Sequence, residues 1–432
     1  MPVLDATSPL PMWLQYLETI HPQAIDLGLE RLQAVARRME VQLDCVKFVV
    51  GGTNGKGSTC AMLESILLSA GYRVGLYTSP HLLNFNERAR INGESASDVA
   101  LTQQFMAVEA ARGEISLTHF EFTTLAILKL FAESSLDVVV LEVGLGGRLD
   151  AVNMVDADCA IITSVDLDHT DWLGDTREQI GFEKAHIYRP GRPAVCSDPM
   201  PPHTLLEYIE QIGADAWLFG RDFNYSGDRQ QWAYRGRSQR RSALSYPALR
   251  GANQLLNASA ALAALESMHG RLPVPQQAVR LGLIRATLAG RFQILPGQPL
   301  VILDVAHNPH AAAVLAHNLD SMGFYPYTYA VCGMLTDKDV AGVVAKLGRR
   351  IDHWYCAGLS GPRGAASQDL AARVNQALLA LPEKEVASVS AHADPVAAFS
   401  AARERANEGD RILVFGSFFT VAAVLRFLDR TL

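Results

Sequence analysis

Short runs of consecutive apolar residues recur along the chain, separated by stretches in which apolar positions return at helical spacing. "VKFVV" (46–50) is followed by a helical pattern from about Ser58 to Ala70, stopped by Gly71, and then by "YRVGLYT". That order predicts a strand–helix–strand unit. "DVVVLEVG" and "CAIITSVD" add two strands without polar alternation, as expected of a parallel sheet covered by helices on both faces. Upstream, "IDLGLERLQAVARRME" reads as an opening helix. From Trp217 to Tyr246 the pattern turns polar and aromatic-studded, with Gly-Asp and Arg-Gly turns, and reads as a β-ribbon insert before the helix of "GANQLLNASAALAALESM". The Gly/Pro-bearing "AGRFQILPGQP" then precedes a second alternating series: "LVILDVA", "YAVCGML", "HWYCAGL", "VASVSA" and "RILVFGS". The expectation is an α/β protein of two domains. Residues 1–296 form a nucleotide-binding domain with a mainly parallel sheet, and residues 297–432 a smaller, doubly wound, Rossmann-like one.

A length of 432 residues suits two such domains at roughly 150 residues or more each. No apolar run approaches the roughly 18 residues of a membrane span, and the amino terminus lacks a basic leader before an apolar stretch, so a cytoplasmic protein with no membrane partner is expected. The six cysteines show no C-x-x-C spacing and read as reduced core thiols. A net charge of −7 argues against general nucleic-acid binding, so an anionic substrate would have to be met by individually placed residues.

One stretch supplies such residues. "VKFVVGGTNGKGST" has the strand, glycine loop and helix order of a phosphate site, in which loop N–H groups and the helix N-terminus converge on the anion. Its spacing departs from G-x-x-x-x-G-K-[ST]: Val50 stands at the first glycine's place and Gly57 separates Lys56 from Ser58. Lys56 would reach terminal phosphates, and Ser58 or Thr59 would offer a hydroxyl to Mg²⁺. Two further strand ends lie on the same sheet edge. One carries Glu142 before Gly144, Gly146 and Gly147; the other offers Asp166, Asp168, His169 and Asp171. Mg²⁺ takes few protein oxygens and keeps its waters, so a sparse donor set of this kind suits it. By composition alone Lys184, in "IGFEKAHIYRPG", is a surface lysine. "LDVAHNPHAA" places Asp304, His307 and Asn308 at the first strand-to-helix turn of the second domain, and His307 reads equally as structural or as a ligand contact.

Taken in order, "GTNGKGST", "TSPHL", "FEFTT", "EVGLGGRLDA", "DHTDWLG", "EKAHI", "GRFQ", "LDVAHNPHA", "GMLTDKD" and "VFGSF" resemble the Mur ligase superfamily, in its folate branch, over nearly the whole chain. The resemblance implies a two-domain Mur-ligase-like fold with a phosphate loop of Thr53, Asn54, Gly55, Lys56, Gly57, Ser58 and Thr59. It implies Mg²⁺ ligands at Ser58, Glu142 and His169, and a carbamylated lysine at Lys184. It also places Asn253 and Asn257 at the adenine, and Arg291 and Asp304 near the ATP phosphates and ribose. His307 and Ser417 would receive glutamate, and Phe120 with Asp150 and Ala151 would hold the pterin; Lys56, Lys184 and His307 would carry the catalysis. Two positions depart from the family pattern: His186 stands where glycine is expected, and Phe418-Phe419 where Phe-His is frequent.

The implied activity is ATP-dependent addition of L-glutamate to dihydropteroate, to the γ-carboxylate of reduced folates, or to both, through an acyl phosphate, by a monomer. Two alternatives stand beside it. A cell-wall amino-acid ligase of the same superfamily is opposed by the folate-type "GKGST" and "FEFTT". A nucleotide switch protein is suggested by the D-x-x-G pattern of "DWLG" but lacks N-K-x-D, which "TDKD" at Thr336 does not supply.

Overall fold

The structure is a computed structural model that describes residues 4–5, 7–23, 25–228, 230–381 and 387–429. Arg229 of the expected ribbon, Val386 at the head of "VASVSA" and residues 1–3 and 6 of the amino-terminal stretch lie outside the described residues. The chain divides into two units, Met1–Ala248 with Leu255–Thr287, and Leu249–Gln254 with Leu288–Leu432.

The first unit is built on an eight-stranded sheet: β1 (Val46–Gly51), β2 (Val74–Tyr77), β3 (Ala89–Ile91), β4 (Glu94–Ser95), β5 (Val138–Glu142), β6 (Cys159–Ile162), β7 (Pro193–Cys196) and β8 (Asp215–Leu218), in the order β4-β3-β2-β5-β1-β6-β7-β8. All pairings are parallel except those of β3, an antiparallel flap with β4 at one edge. β1 lies between β5 and β6, so the chain passes to opposite sides of it, and crevices for ligands open at the carboxyl ends of strands where the order switches in this way. β5, β6 and nearly all of β1 are buried, which accounts for their unbroken apolar runs.

The helix after the loop, Lys56–Ser69, has no polar face because a second helix, Gln276–Arg285, covers it. Their approach needs a glycine: a Cβ on Gly282 would run into Ile66 Cα, and Ser65 Oγ donates to the Gly282 carbonyl at 2.8 Å. The ribbon expected over Trp217–Tyr246 is smaller than its span. Trp217 belongs to β8 of the main sheet, and only β9 (Asn224–Gly227), β10 (Trp232–Arg235) and β11 (Arg240–Leu244) form the antiparallel three-stranded ribbon.

The second unit holds β12 (Gln293–Leu295), β13 (Leu300–Leu303), β14 (Thr328–Cys332), β15 (His353–Ala357), β16 (Ser388–His392) and β17 (Arg411–Phe415), ordered β12-β13-β17-β14-β15-β16. Five strands are parallel and β12 is an antiparallel edge. β12 lies in the stretch read as a connection and pairs with β13, in the part of the second unit that begins at Leu288. Five of the six cysteines are buried and all are free.

Candidate active site

The phosphate loop leaves β1 through Gly52 and Gly55, whose φ values of +138° and +91° are open to glycine without strain. A Cβ on Gly52 would run into Thr163 Oγ1, and one on Gly55 would lie 2.5 Å from Asn257 Oδ1. The loop is tied to the end of β6 by Thr53 N to Ser164 O (2.7 Å), by Asn54 N to Ser164 Oγ (3.2 Å) and by Thr163 Oγ1 to Asn54 O (2.7 Å). Thr53 Oγ1 accepts from Asp166 N at 3.0 Å, joining the loop to the Asp166–His169 turn. Lys56 opens the helix and folds back, its Nζ donating to the carbonyls of Gly52 (3.0 Å) and Thr53 (3.2 Å). Ser58 and Thr59 are buried in the helix's first turn.

The lysine that composition assigns to the surface is inside. Lys184 is 4% exposed and donates through Nζ to the same Gly52 carbonyl at 3.2 Å. Its helix, Arg177–Ala185, starts from a capping box in which Thr176 Oγ1 accepts from Gln179 N, and it turns Ile180, Gly181 and Lys184 inward as one face. Close packing fixes it further, since a Cβ on Gly147 would sit 2.6 Å from the Glu183 carbonyl. Burial, then the charge of Lys56, pull the Lys184 pKa down to about 7, against smaller opposing effects of Asp168 and Asp150.

Glu142 ends β5, opposite Val50 of β1, and its Oε2 accepts from Ser79 N at 3.2 Å. His169 precedes the turn Thr170–Leu173 with a left-handed φ of +53°. Ser58, Glu142 and His169 thus sit at the carboxyl ends of three adjacent strands. Hydroxyl, carboxylate and imidazole supply few ligands, which fits an ion that keeps positions for water and phosphate oxygen. The described residues contain no cluster of three or more His, Cys, Asp or Glu able to hold a metal by themselves.

Phe120 lies in the first turn of the helix His119–Glu133, capped by Thr118 and Glu121. Its ring closes on Gly144, where a Cβ would come within 2.6 Å, and stands 6.4 Å from the Tyr77 ring. Asp150 is buried, accepting from Leu145 N (2.8 Å) and Val152 N (2.9 Å). Burial raises its pKa to about 6 despite those bonds. Ala151 is buried beside it. Phe120, Asp150 and Ala151 therefore form one small patch next to Glu142.

In the second unit the carboxyl ends of β13 and β17 are neighbours. Asp304 accepts from Phe292 N and Ala306 N, both at 2.8 Å, while burial raises its pKa and the Arg291 charge partly offsets this. The Arg291 guanidinium rests 5.0 Å over the Phe418 ring, so the first of the two departing phenylalanines serves as its platform, whereas Phe419 is exposed. His307 Nδ1 donates to Val305 O at 2.9 Å, which fixes the orientation of the ring. Ser417, buried after Gly416, hydrogen-bonds Thr420 Oγ1 at 2.7 Å. Asn257 belongs to the first unit, at the phosphate loop, and Asn253 to the segment Leu249–Gln254 of the second. His186 packs against Phe182 and Tyr208, at ring separations of 4.5 and 4.1 Å.

Family models match most of the chain: "Mur ligase middle domain" over residues 50–265 and "Mur ligase, glutamate ligase domain" over residues 290–418. A relative from Escherichia coli K12, dihydrofolate synthase/folylpolyglutamate synthase, is 46% identical over 98% of this chain and 97% of its own. The chain belongs to the Mur ligase family, in its dihydrofolate synthase/folylpolyglutamate synthase branch. Among solved structures, E. coli FolC in complex with DHPP and ADP superposes with a TM-score of 0.93 at 45% identity, covering 99% of this chain and 100% of that one. A bifunctional folylpolyglutamate synthase/dihydrofolate synthase with Mn, AMPPNP and L-glutamate bound gives 0.90 at 46% identity, covering 99% of each chain.

As a folate-branch Mur ligase, the chain has the α/β fold expected, and the switch-protein alternative falls. Three residues at the site escaped the sequence reading: His81, Arg88 and His119. His81 and His119 lie in or beside the quoted "TSPHL" and "FEFTT", but nothing in either motif shows that they meet at Phe85, whose ring lies 5.9 Å from that of His81 and 6.2 Å from that of His119.

Proposed function

We propose that the chain is an ATP-dependent ligase that joins L-glutamate to dihydropteroate, to the γ-carboxylate of reduced folates, or to both, releasing ADP and phosphate. One observation carries this reading. Two lysines, Lys56 and the buried Lys184, converge on the Gly52 carbonyl at the end of β1, and among the described residues neither has a carboxylate at ion-pair distance. Such a pair is matched by a polyphosphate.

The chemistry follows from the poor leaving ability of carboxylate oxygen. A carboxylate oxygen of the acceptor attacks the terminal phosphorus of ATP, and the bond to ADP breaks. Lys56 and the N–H groups at the head of helix Lys56–Ser69 stabilise the charge spread over the transferring phosphoryl oxygens. The glutamate amine then attacks the acyl phosphate carbon, loses a proton and expels phosphate, leaving an amide. Ser58, Glu142 and His169 would hold Mg²⁺, which when bound neutralises phosphate charge. Phe120, Asp150 and Ala151 take the pterin ring. His307 and Ser417 take glutamate, and Asn253, Asn257, Arg291 and Asp304 take the nucleotide.

Lys184 acts as a carbamate. With a pKa near 7 a large share of it is a neutral amine at physiological pH, able to attack CO₂. Carbamylation replaces one of two ammonium groups crowding Gly52 with an anion that can accept from Lys56 or orient metal-bound water. The enzyme works as a cytoplasmic monomer. The test is glutamate incorporation measured separately with dihydropteroate and with tetrahydrofolate. ADP and phosphate are expected; AMP and pyrophosphate would overturn the acyl-phosphate route, and no incorporation with either acceptor would overturn the assignment.

A further inference from the structure

Across the Phe85 and His119 rings from Phe120 stands a cation with no role in the scheme above. The Arg88 guanidinium lies 5.4 Å over the Phe85 ring, and its Nε donates to His81 Nδ1 at 3.0 Å. That geometry makes His81 a neutral acceptor, so it adds no negative charge. Neither Nη nitrogen of Arg88 has a hydrogen-bond partner among the described residues, and no carboxylate lies within ion-pair distance of it. The carboxylate next in sequence is already committed. Glu87 accepts from the backbone N–H groups of Leu82 (2.7 Å), Leu83 (2.8 Å) and Asn84 (2.7 Å), which braces the turn that presents Arg88. Burial lowers the Arg88 pKa, with Tyr77 and Glu142 opposing that shift.

The surroundings say which anion such a cation suits. Phe85 packs edge-on against His119, the residue before Phe120, so two rings, Phe85 and His119, stand between the guanidinium and the proposed pterin patch, as the aminobenzoyl ring stands between pterin and carboxylate in the acceptor. A planar guanidinium with both Nη groups open matches a carboxylate in bidentate geometry. We propose that Arg88, backed by Phe85 and oriented by His81, binds the carboxylate of the pterin acceptor and so selects acceptors that carry one. This rests on the ligase reading above, and the experiment separates the two.

Dihydropteroate and the same pterin–aniline without its carboxylate are titrated calorimetrically into the full chain with Mg²⁺ and a non-hydrolysable ATP analogue. The wild type is expected to prefer dihydropteroate. Arg88→Gln is expected to lose about 10- to 100-fold in affinity for dihydropteroate while binding the carboxylate-free analogue within about twofold of wild type. Arg88→Lys, which keeps the charge but not the fork, is expected to fall between, and it carries the test if Arg88→Gln no longer binds the ATP analogue. Equal affinities of wild type and variants for dihydropteroate would overturn the inference alone, as would an equal loss for both pterins, which is the mark of a packing role. A wild type that binds neither pterin would overturn the ligase reading and the inference with it.

Discussion

The two edges of the eight-stranded sheet treat charge in opposite ways. At the amino edge Lys47, Arg192 and Arg271 all reach the single carboxylate of Asp158, at 3.3, 3.8 and 2.6 Å, and Arg189 meets Asp156 at 2.7 Å. A cavity of about 630 Å³ opens among these residues, yet its cations are already matched by protein carboxylates. At the carboxyl edge, among the described residues, Lys56, Lys184 and Arg88 donate hydrogen bonds only to backbone carbonyls or an imidazole. Paired charges near solvent contribute little beyond local order, whereas cations left without a carboxylate in a partly desolvated place await an anion from outside. The size of a cavity is the poorer guide to the site here; the state of its charges is the better one.

The most direct way to break that contrast is Lys56→Ala, expected to cut turnover by about 10²- to 10³-fold with the melting temperature little changed. Steady-state kinetics with thermal melts checks it, and near-normal turnover would place the phosphates elsewhere. Glu142→Ala and His169→Ala are expected to lose about 100-fold in turnover at limiting Mg²⁺, with part of the loss recovered at high Mg²⁺. Loss that no Mg²⁺ concentration relieves would mean that either residue works by some means other than metal binding.

Lys184→Ala is expected to fall about 10- to 100-fold and to recover in part with added short carboxylic acids, which would replace the missing oxygens. In the wild type the sign of the pH effect is set by the lowered pKa. The amine is neutral above about pH 7, so the bicarbonate-dependent part of the rate should grow as pH rises through that value. A rate indifferent to bicarbonate across that range would remove the carbamate.

Asp158→Ala probes the other edge and should be the mildest. Turnover should hold while stability drops by about 1–2 kcal/mol, read from denaturant midpoints. Burial alone would raise the Asp158 pKa, but hydrogen bonds from Arg271 and from the Lys47 amide outweigh it and leave the value lowered. Its contribution should therefore be present above the ordinary aspartate value and fade as pH falls through the lower folded one. A loss of turnover would make the amino edge functional and end the comparison.

The phosphate loop was legible from sequence because its chemistry is local. Strand, glycines, lysine and helix follow one another within one short stretch, and the glycines at positive φ are required by the backbone itself. The same holds for the parallel strands, whose unbroken apolar runs report burial on both faces. The ribbon's extent and the antiparallel β12 were harder to read, since edge strands carry weak patterns and Gln293–Leu295 sits among loop residues.

The order of elements, the loop that cradles phosphate and, through the chain of motifs, the family are all written in the residues themselves. The residues alone do not decide the environment of a side chain. Lys184 has the composition of a solvated helix lysine, and only the packing of its helix against the Gly144–Gly147 loop buries it, brings it to Gly52 and lowers its pKa. Arg88 is likewise one arginine among many until the fold stacks it on Phe85 and spends the Glu87 carboxylate on three backbone amides. Motifs record which groups are present. Desolvation and the pairing of charge depend on neighbours far apart in the chain, so the tertiary structure alone assigns them.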